Sequence, residues 1–179
     1  YGVTTIDVLT GFKFIAEVIK DFETNNNYKE YLFGFEESYG YLAGTYARDK
    51  DAVVAAMLIA QMAADYKEQG LTLYEGLVSL YEKYGYHKEI LLNFTFTGIE
   101  GVAKIKDIMK KFRASDRFDG ELKRIDYAEG IDGLPKSDVL KFFTSNGWFA
   151  VRPSGTEPKI KFYFGACGNS KADAQNELN

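Results

Sequence analysis

The densest chemistry in the sequence lies in Arg152-Pro153-Ser154-Gly155-Thr156-Glu157-Pro158-Lys159. Ser154 and Thr156 offer hydroxyl donors, and Gly155 lets backbone N–H groups come close to a ligand. The planar guanidinium of Arg152 can fork onto two oxygens of one anion, and Lys159 adds a second positive charge. Pro153 and Pro158 stiffen the stretch, so less entropy is lost when it grips. These are the ingredients of an anion cradle. The same residue types also make tight turns whose cations face solvent.

Gly34-Phe35-Glu36-Glu37-Ser38-Tyr39-Gly40 follows a short apolar run. Carboxylates and a hydroxyl at the C-terminal end of a strand suit a polyhydroxylated ligand. Side chains alternate along a strand, so Glu36 and Ser38 are expected to act together and Glu37 to point elsewhere. A solvated acidic loop has the same composition. In Arg48-Asp49-Lys50-Asp51, Asp49 or Asp51 reads as a helix N-cap. Arg48 and Lys50 there oppose the helix dipole, a cost that a bound anion or a surface carboxylate pairing would offset.

These segments need elements to position them. Phe14, Ile15, Val18, Ile19 and Phe22 recur at helical spacing up to Asn25-Asn26-Asn27. Tyr31–Phe35 suits a buried strand. A long helix is expected from about Asp51 to Gln69, stopped by Gly70. Its first half is apolar nearly all round, which predicts a helix sandwiched inside the fold. Thr72 and Glu75 form a capping box for a helix carrying Leu73, Leu77, Leu80, Tyr81 and Tyr84, closed by Gly85.

Ile90, Leu92, Phe94 and Phe96 alternate as in a half-buried strand. Thr97 and Glu100 make a second capping box, before Val102, Ile105, Met109 and Phe112 on one helical face. Turns are expected at Asp119-Gly120, Asp132-Gly133 and Asn146-Gly147. The last should close a hairpin between 139–145 and 148–151, because both residues tolerate positive φ. Ile160, Phe162 and Phe164 continue as a strand.

Composition narrows the class. The 179 residues are 46% hydrophobic and 27% charged, which excludes wholesale disorder. Aromatic residues reach 16%, enough to build a substantial core. A net charge of −4 argues against a general nucleic-acid binder. The single Cys167 excludes an internal disulfide or a Cys-clustered zinc site and fits a reducing compartment. The longest apolar run, Ala52–Ala60, is far short of the roughly 20 residues that cross a bilayer. His87 is the only histidine, so no Ser/His/Asp or Cys/His arrangement is evident around it, and it reads as structural. No Asp-x-Asp metal loop, Walker A loop or dinucleotide fingerprint is read in the sequence. The start at Tyr1 and the helix-like tail Ser170–Asn179 read as a fragment of a longer protein.

Taken together, the segments resemble the α-D-phosphohexomutases, in their bacterial phosphoglucomutase/phosphomannomutase branch. Arg152–Lys159 is similar to the family's phosphate-binding loop and Gly34–Gly40 to its sugar-binding loop, with Phe35 where many members have Gly. Arg48–Asp51 resembles the basic segment that follows, and Thr10-Gly11-Phe12-Lys13 the loop opening the third domain. All four occur in family order. The resemblance implies the third and fourth domains of a four-domain parent. Residues 1–87 would form an α/β domain, and residues 88–179 a smaller α+β domain with an antiparallel sheet flanked by helices.

Members of the family move phosphate between the 1- and 6-hydroxyls of a hexose through a bisphosphorylated intermediate. By that analogy Glu36, Ser38, Thr10 and Gly11 would bind the sugar. Arg152, Ser154, Gly155, Thr156 and Lys159 would hold its phosphate, with Arg48 and Lys50 helping. The phosphoserine and the Mg²⁺ loop have no counterpart in this sequence. Mg²⁺ and hexose 1,6-bisphosphate would therefore belong to the full-length parent, and this fragment would hold no catalytic residue and no metal and be inactive alone. The implied partners are a phosphorylated hexose and the parent's N-terminal domains, in the cytoplasm, with no nucleic acid or membrane. The wording of the sugar loop favours glucose over mannose. A phosphopentomutase or a non-catalytic sugar-phosphate-binding module is the alternative.

Overall fold

Two buried clusters organise the computed structural model, which describes residues 2–25, 29–115, 123–131 and 133–178. Each cluster belongs to one of two compact units, Tyr1–Leu77 and Val78–Asn179.

In the first unit, helix α1 (Phe12–Thr24) buries Phe12, Ile15 and Ile19, which three- and four-residue steps place on one face. They pack with Leu42, while Val8, Tyr31 and Ala47 close the cluster. Ile19 and Leu42 are fully buried, each contributing about 1.5–3 kcal/mol. The Tyr31 hydroxyl donates to the Leu42 carbonyl at 3.0 Å, so the ring is partly buried without orphaning its oxygen. Leu42 lies on β2 (Gly40–Ala43), which forms an antiparallel hairpin with β1 (Phe33–Glu36).

The run at 31–35 is not a buried strand. β1 turns the Gly34 side toward Tyr31 and Ile15 and leaves Phe33 and Phe35 exposed, since its sheet has only these two strands. Phe33 stacks on Tyr41 instead.

Helix α2 (Ala52–Glu68) follows Asp51, whose carboxylate accepts from the Val53 amide at 2.7 Å and the Val54 amide at 3.3 Å. Gly70, at φ 75°, supplies the left-handed residue beyond its C-terminus. The expectation that α2 is sandwiched fails: none of its residues is buried, and Val53 is 79% exposed. Within its unit α2 packs chiefly on β2, and one neighbour cannot cover a helix that is apolar all round. The Thr72–Glu75 box forms as expected before α3 (Leu73–Tyr84). Glu75 accepts from the Thr72 amide at 2.7 Å, and Thr72 accepts from the Glu75 amide at 3.2 Å.

The second unit is built on a five-stranded antiparallel sheet in the order β3-β7-β6-β5-β4. Its strands are β3 (Tyr86–Thr95), β4 (Lys123–Asp126), β5 (Leu140–Phe143), β6 (Gly147–Pro153) and β7 (Lys159–Gly168). Helix α4 (Gly98–Ala114) covers one face, where Ile105 and Met109 meet Leu140, Phe142, Val151 and Ile160. Phe149 and Phe162 line the same face, and Phe142 stacks on Phe149 with centroids 4.5 Å apart.

Two expectations about α4 fail. Thr97 makes no side-chain capping bond, and Val102 is 46% exposed because it lies off the sheet-facing stripe. Arg113 ties the end of α4 to Asp126 at 2.8 Å and to Asp138 at 2.6 Å. Beyond β7, helix α5 (Lys171–Asn176) is capped by Ser170.

The hairpin between β5 and β6 forms, but its turn sits one residue early. The Thr144 amide donates to the Gly147 carbonyl at 2.8 Å, which places Ser145-Asn146 at the tip. Positive φ is not what Gly147 supplies: a Cβ there would lie 2.3 Å from the Gly165 carbonyl. Close strand approach is what requires glycine at this position. Asn26, Asn27, Asp119, Gly120 and Asp132 lie outside the described residues, while Gly133 takes φ 81°.

Candidate functional site

The anion-cradle sequence forms the connection between β6 and β7. Pairing of Arg152 with Lys161 and Pro153 with Ile160 carries the sheet to its base. There the Ser154 amide donates to the Lys159 carbonyl at 2.8 Å, and the Lys159 amide to the Glu157 carbonyl at 2.7 Å. The Phe96 amide, just beyond β3, holds the Pro158 carbonyl at 2.9 Å. The backbone is thus anchored at its base while Gly155, Thr156, Glu157 and Pro158 stay exposed. An added Cβ on Gly155 would meet nothing within 4 Å.

Val151 points into the α4-covered core, so alternation puts Arg152 on the opposite face of the sheet. One Nη2 hydrogen of Arg152 is donated to the Tyr163 hydroxyl at 3.3 Å, and Nε is buried without a hydrogen-bond partner. A partly desolvated cation is suited to bind an anion, because its field is less screened there than in water. Lys159 is differently placed. Its ammonium lies 3.0 Å from the Glu157 carboxylate.

In the first unit, Glu36 ends β1 opposite Gly40, and Glu37, Ser38 and Tyr39 form the tip of the hairpin. Strand alternation therefore does not extend past Glu36, and the expected Glu36–Ser38 partnership is not what the backbone makes. Glu36 and Glu37 line one cavity of about 680 Å³ together with Thr10 and Gly11, while Ser38 is not among its walls. Tyr39 holds φ 66°, a left-handed conformation uncommon for a bulky residue, with its ring 86% exposed.

The Glu36 side chain is only 12% exposed, and Lys50 Nζ lies 3.9 Å from its Oε2. Lys50 passes directly over Gly40: a Cβ there would come within 2.8 Å of the lysine stem and 3.1 Å of the Glu36 carboxylate. Lys50 thus joins the Glu36 carboxylate.

Arg48 is differently engaged. Its guanidinium forks onto both Glu23 oxygens at 2.7 Å and also donates to the Thr45 and Ala47 carbonyls. The cations at the start of α2 are answered within the protein, Arg48 by Glu23 and Lys50 by Asp49 and Glu36. Donation from the Tyr46 hydroxyl, then from the Val53 and Val54 amides, holds the Asp51 carboxyl below its usual range. The Lys50 amide and ammonium likewise lower Asp49.

The sequence reading that no Asp-x-Asp motif is present overlooked Asp49-Lys50-Asp51, but these bonds turn its two carboxylates to separate tasks. Among the described residues no three His, Cys, Asp or Glu side chains converge. The described residues do not by themselves fit a Mg²⁺ ion.

A second cavity, of about 780 Å³, opens at the end of the sheet remote from the 154–158 connection, among His87, Trp148, Cys167 and Asp173. His87 faces Cys167 across β3 and β7, with Nε2 3.7 Å from Sγ. The sequence offered no signal for this pair, whose members are separated by most of the second unit. No helix among the described residues is long and apolar enough to cross a membrane.

Comparison with known proteins covers both units. The family model described as phosphoglucomutase/phosphomannomutase, alpha/beta/alpha domain III, matches residues 1–84. The model described as phosphoglucomutase/phosphomannomutase, C-terminal domain, matches residues 91–177. A phosphoglucomutase of Staphylococcus saprophyticus is 42% identical over 178 residues, spanning 91% of this chain and 32% of the relative. One from Staphylococcus aureus is 40% identical over 172 residues, spanning 88% and 31%. The chain thus spans about a third of the length of the curated relatives it matches.

Among solved structures, the open form of pp63/parafusin, an exocytosis-sensitive phosphoprotein and phosphoglucomutase from Paramecium, superimposes with a TM-score of 0.67. That match covers 94% of this chain and 31% of the other at 19% identity, a likeness of fold.

Proposed function

The chain belongs to the phosphoglucomutase/phosphomannomutase family, as its domain III and C-terminal domain, and we propose that it supplies the substrate-recognition half of a phosphoglucomutase. The observation that carries this reading is the run of phosphoglucomutase relatives, 37–42% identical over about nine tenths of the chain. In this reading residues 1–87 bind the sugar and residues 88–179 bind its phosphate. The full-length enzyme interconverts hexose 1-phosphate and hexose 6-phosphate through a bisphosphorylated intermediate, in the cytoplasm.

Arg152 receives the non-reacting phosphate, with Ser154, Gly155, Thr156 and Lys159 around it. Its burial supports the assignment: a guanidinium with a desolvated edge gains most from a dianion, in charge-assisted bonds about twice as strong as neutral ones. Glu36 accepts from sugar hydroxyls beside Thr10 and Gly11, supported by their common cavity, and Ser38 reaches the sugar from the hairpin tip. Lys50 orients Glu36. Arg48 acts from further off, by holding the loop that carries Lys50. Phosphoryl transfer and Mg²⁺ binding fall to segments of the parent that this chain does not include.

Specificity constants of the full-length enzyme for the 1-phosphates of glucose, mannose and ribose test the proposal, with glucose expected to be preferred. A clear preference for mannose 1-phosphate would make the protein a phosphomannomutase, and one for ribose 1-phosphate a phosphopentomutase. Absence of turnover with all three would leave a non-catalytic sugar-phosphate-binding module.

A further inference from the structure

The four candidate cations are held in two different ways. Arg48 forks onto Glu23, Lys50 lies between Asp49 and Glu36, and Lys159 pairs with Glu157. Each has a carboxylate that offsets its charge before any ligand arrives. Among the described residues Arg152 has no such carboxylate. Its polar contact is a phenol: Nη2 donates to the Tyr163 hydroxyl at 3.3 Å. A phenol oxygen accepts a hydrogen bond while remaining neutral at ordinary pH, so it can fix a guanidinium without spending its charge.

The sheet register explains how Tyr163 reaches. It lies on β7 directly opposite Ala150 of β6, and Arg152 is two residues further along the same face. Diagonal neighbours of this kind are within reach of long and aromatic side chains. Ala150 presents only a methyl group, which leaves the ring free to lie toward Arg152.

The rest of the guanidinium is poorly provided for, since Nε is buried and has no acceptor. Without the phenol, an arginine in that pose gains by swinging toward solvent, where water would satisfy Nε. Because the residue as a whole is only partly buried, the edge offered to a ligand is the Nη edge.

We propose that Tyr163 is a positioning residue for the phosphate site, holding Arg152 with its Nη edge outward and its charge unspent. The inference rests on the assignment of Arg152 to phosphate, and the experiment separates the two. Inorganic phosphate is titrated into the complete chain, wild type, Tyr163→Phe and Arg152→Met, with the arginine Nε–H resonances followed by NMR and the melting temperature measured alongside.

In the wild type, phosphate should shift a slowly exchanging Arg152 Nε–H signal. Tyr163→Phe keeps the ring, so its melting temperature should stay close to wild type. Loss of one hydrogen bond should weaken phosphate binding about two- to tenfold, and the Nε–H proton should enter fast exchange. Tyr163→His, which restores an acceptor near the guanidinium, should recover part of the affinity.

If Arg152→Met abolishes binding while Tyr163→Phe leaves it unchanged, the positioning role is wrong and the phosphate site stands. If Arg152→Met binds phosphate like wild type, the site assignment fails and this inference with it. A Tyr163→Phe protein that melts early yet binds phosphate normally would reduce Tyr163 to a packing residue.

Discussion

Replacing Arg152 by Met should lower affinity without a matching loss of stability. Met retains much of the aliphatic stem while removing the guanidinium. On the stability side, the fold loses the contact to Tyr163, worth about 0.5–1.5 kcal/mol net. It also sheds a buried Nε with no partner, whose desolvation costs about 1–3 kcal/mol. The balance runs from a loss of about 0.5 kcal/mol to a gain of about 2.5 kcal/mol, and about 4–8 °C in melting temperature corresponds to each kcal/mol in a unit of this size.

On the binding side, each charge-assisted bond to phosphate is worth about 1.5–3 kcal/mol, so affinity for a phosphosugar should fall tenfold or more. Arg152→Lys should recover only part, because an ammonium keeps the charge but loses the fork. Calorimetric melting of the chain and kcat/KM of the full-length enzyme on several phosphohexoses measure the two sides. All the sugars should suffer alike, since the lost contact is to the phosphate they share. A variant that melts well below wild type and yet turns over normally would refute the reasoning, because Arg152 would then be a structural residue.

Other substitutions probe separate parts of the argument. Gly155→Ala meets open space, so melting should not change, while kcat/KM should fall if the loop backbone closes on phosphate. Gly147→Ala places a Cβ 2.3 Å from a backbone carbonyl and should cost about 1–3 kcal/mol, read as a lower melting temperature. For Arg113→Met a loss of no more than about 1 kcal/mol is expected at neutral pH, given that Arg113 and Asp126 are about a third exposed and Asp138 about half.

The same variant carries a pH signature. Burial raises the Asp126 carboxyl, but Arg113 and the Ala128 amide outweigh it and hold the group below its usual value. A depressed carboxylate contributes stability above its unfolded pKa of about 3.9 and loses it as pH falls through the folded value. The gap between wild type and Arg113→Met, followed by urea titration, should therefore shrink below about pH 4. A gap that widened in acid would contradict the assignment.

The parts of the molecule most legible in sequence were those whose signals are local. Arg152–Lys159 stood out because strands with clear alternation flank a stretch of turn and anion-binding residues. The Thr72–Glu75 box needs only a three-residue offset, and the structure makes it. Failures came where a distant neighbour decides. The apolar run in α2 specifies burial only if something covers each face, and its own unit covers one. Gly147 was read for its φ, whereas the carbonyl of Gly165, a strand away, is the reason it is glycine. Arg48 looked available for an anion because Glu23 lies 25 residues off, and Tyr163 carried no local mark because its link to Arg152 is diagonal across two strands. Glu37 joined Glu36 at the cavity because a turn begins where strand alternation was assumed to continue.

The Glu157–Lys159 pair makes the β6–β7 connection its own electrolyte. With its counter-ion built in, Lys159 presents little long-range field, so a passing chloride or nucleic-acid strand gains little by approaching it. Entry of an anion is then an exchange reaction: the newcomer must outcompete a tethered carboxylate whose local concentration never falls. A doubly charged phosphate close to Arg152 can meet that requirement, and a monoanion meets it less well. The exchange also runs in reverse. In the proposed role, Glu157 would be in place to reclaim the ammonium as phosphate loosens, which would speed its departure.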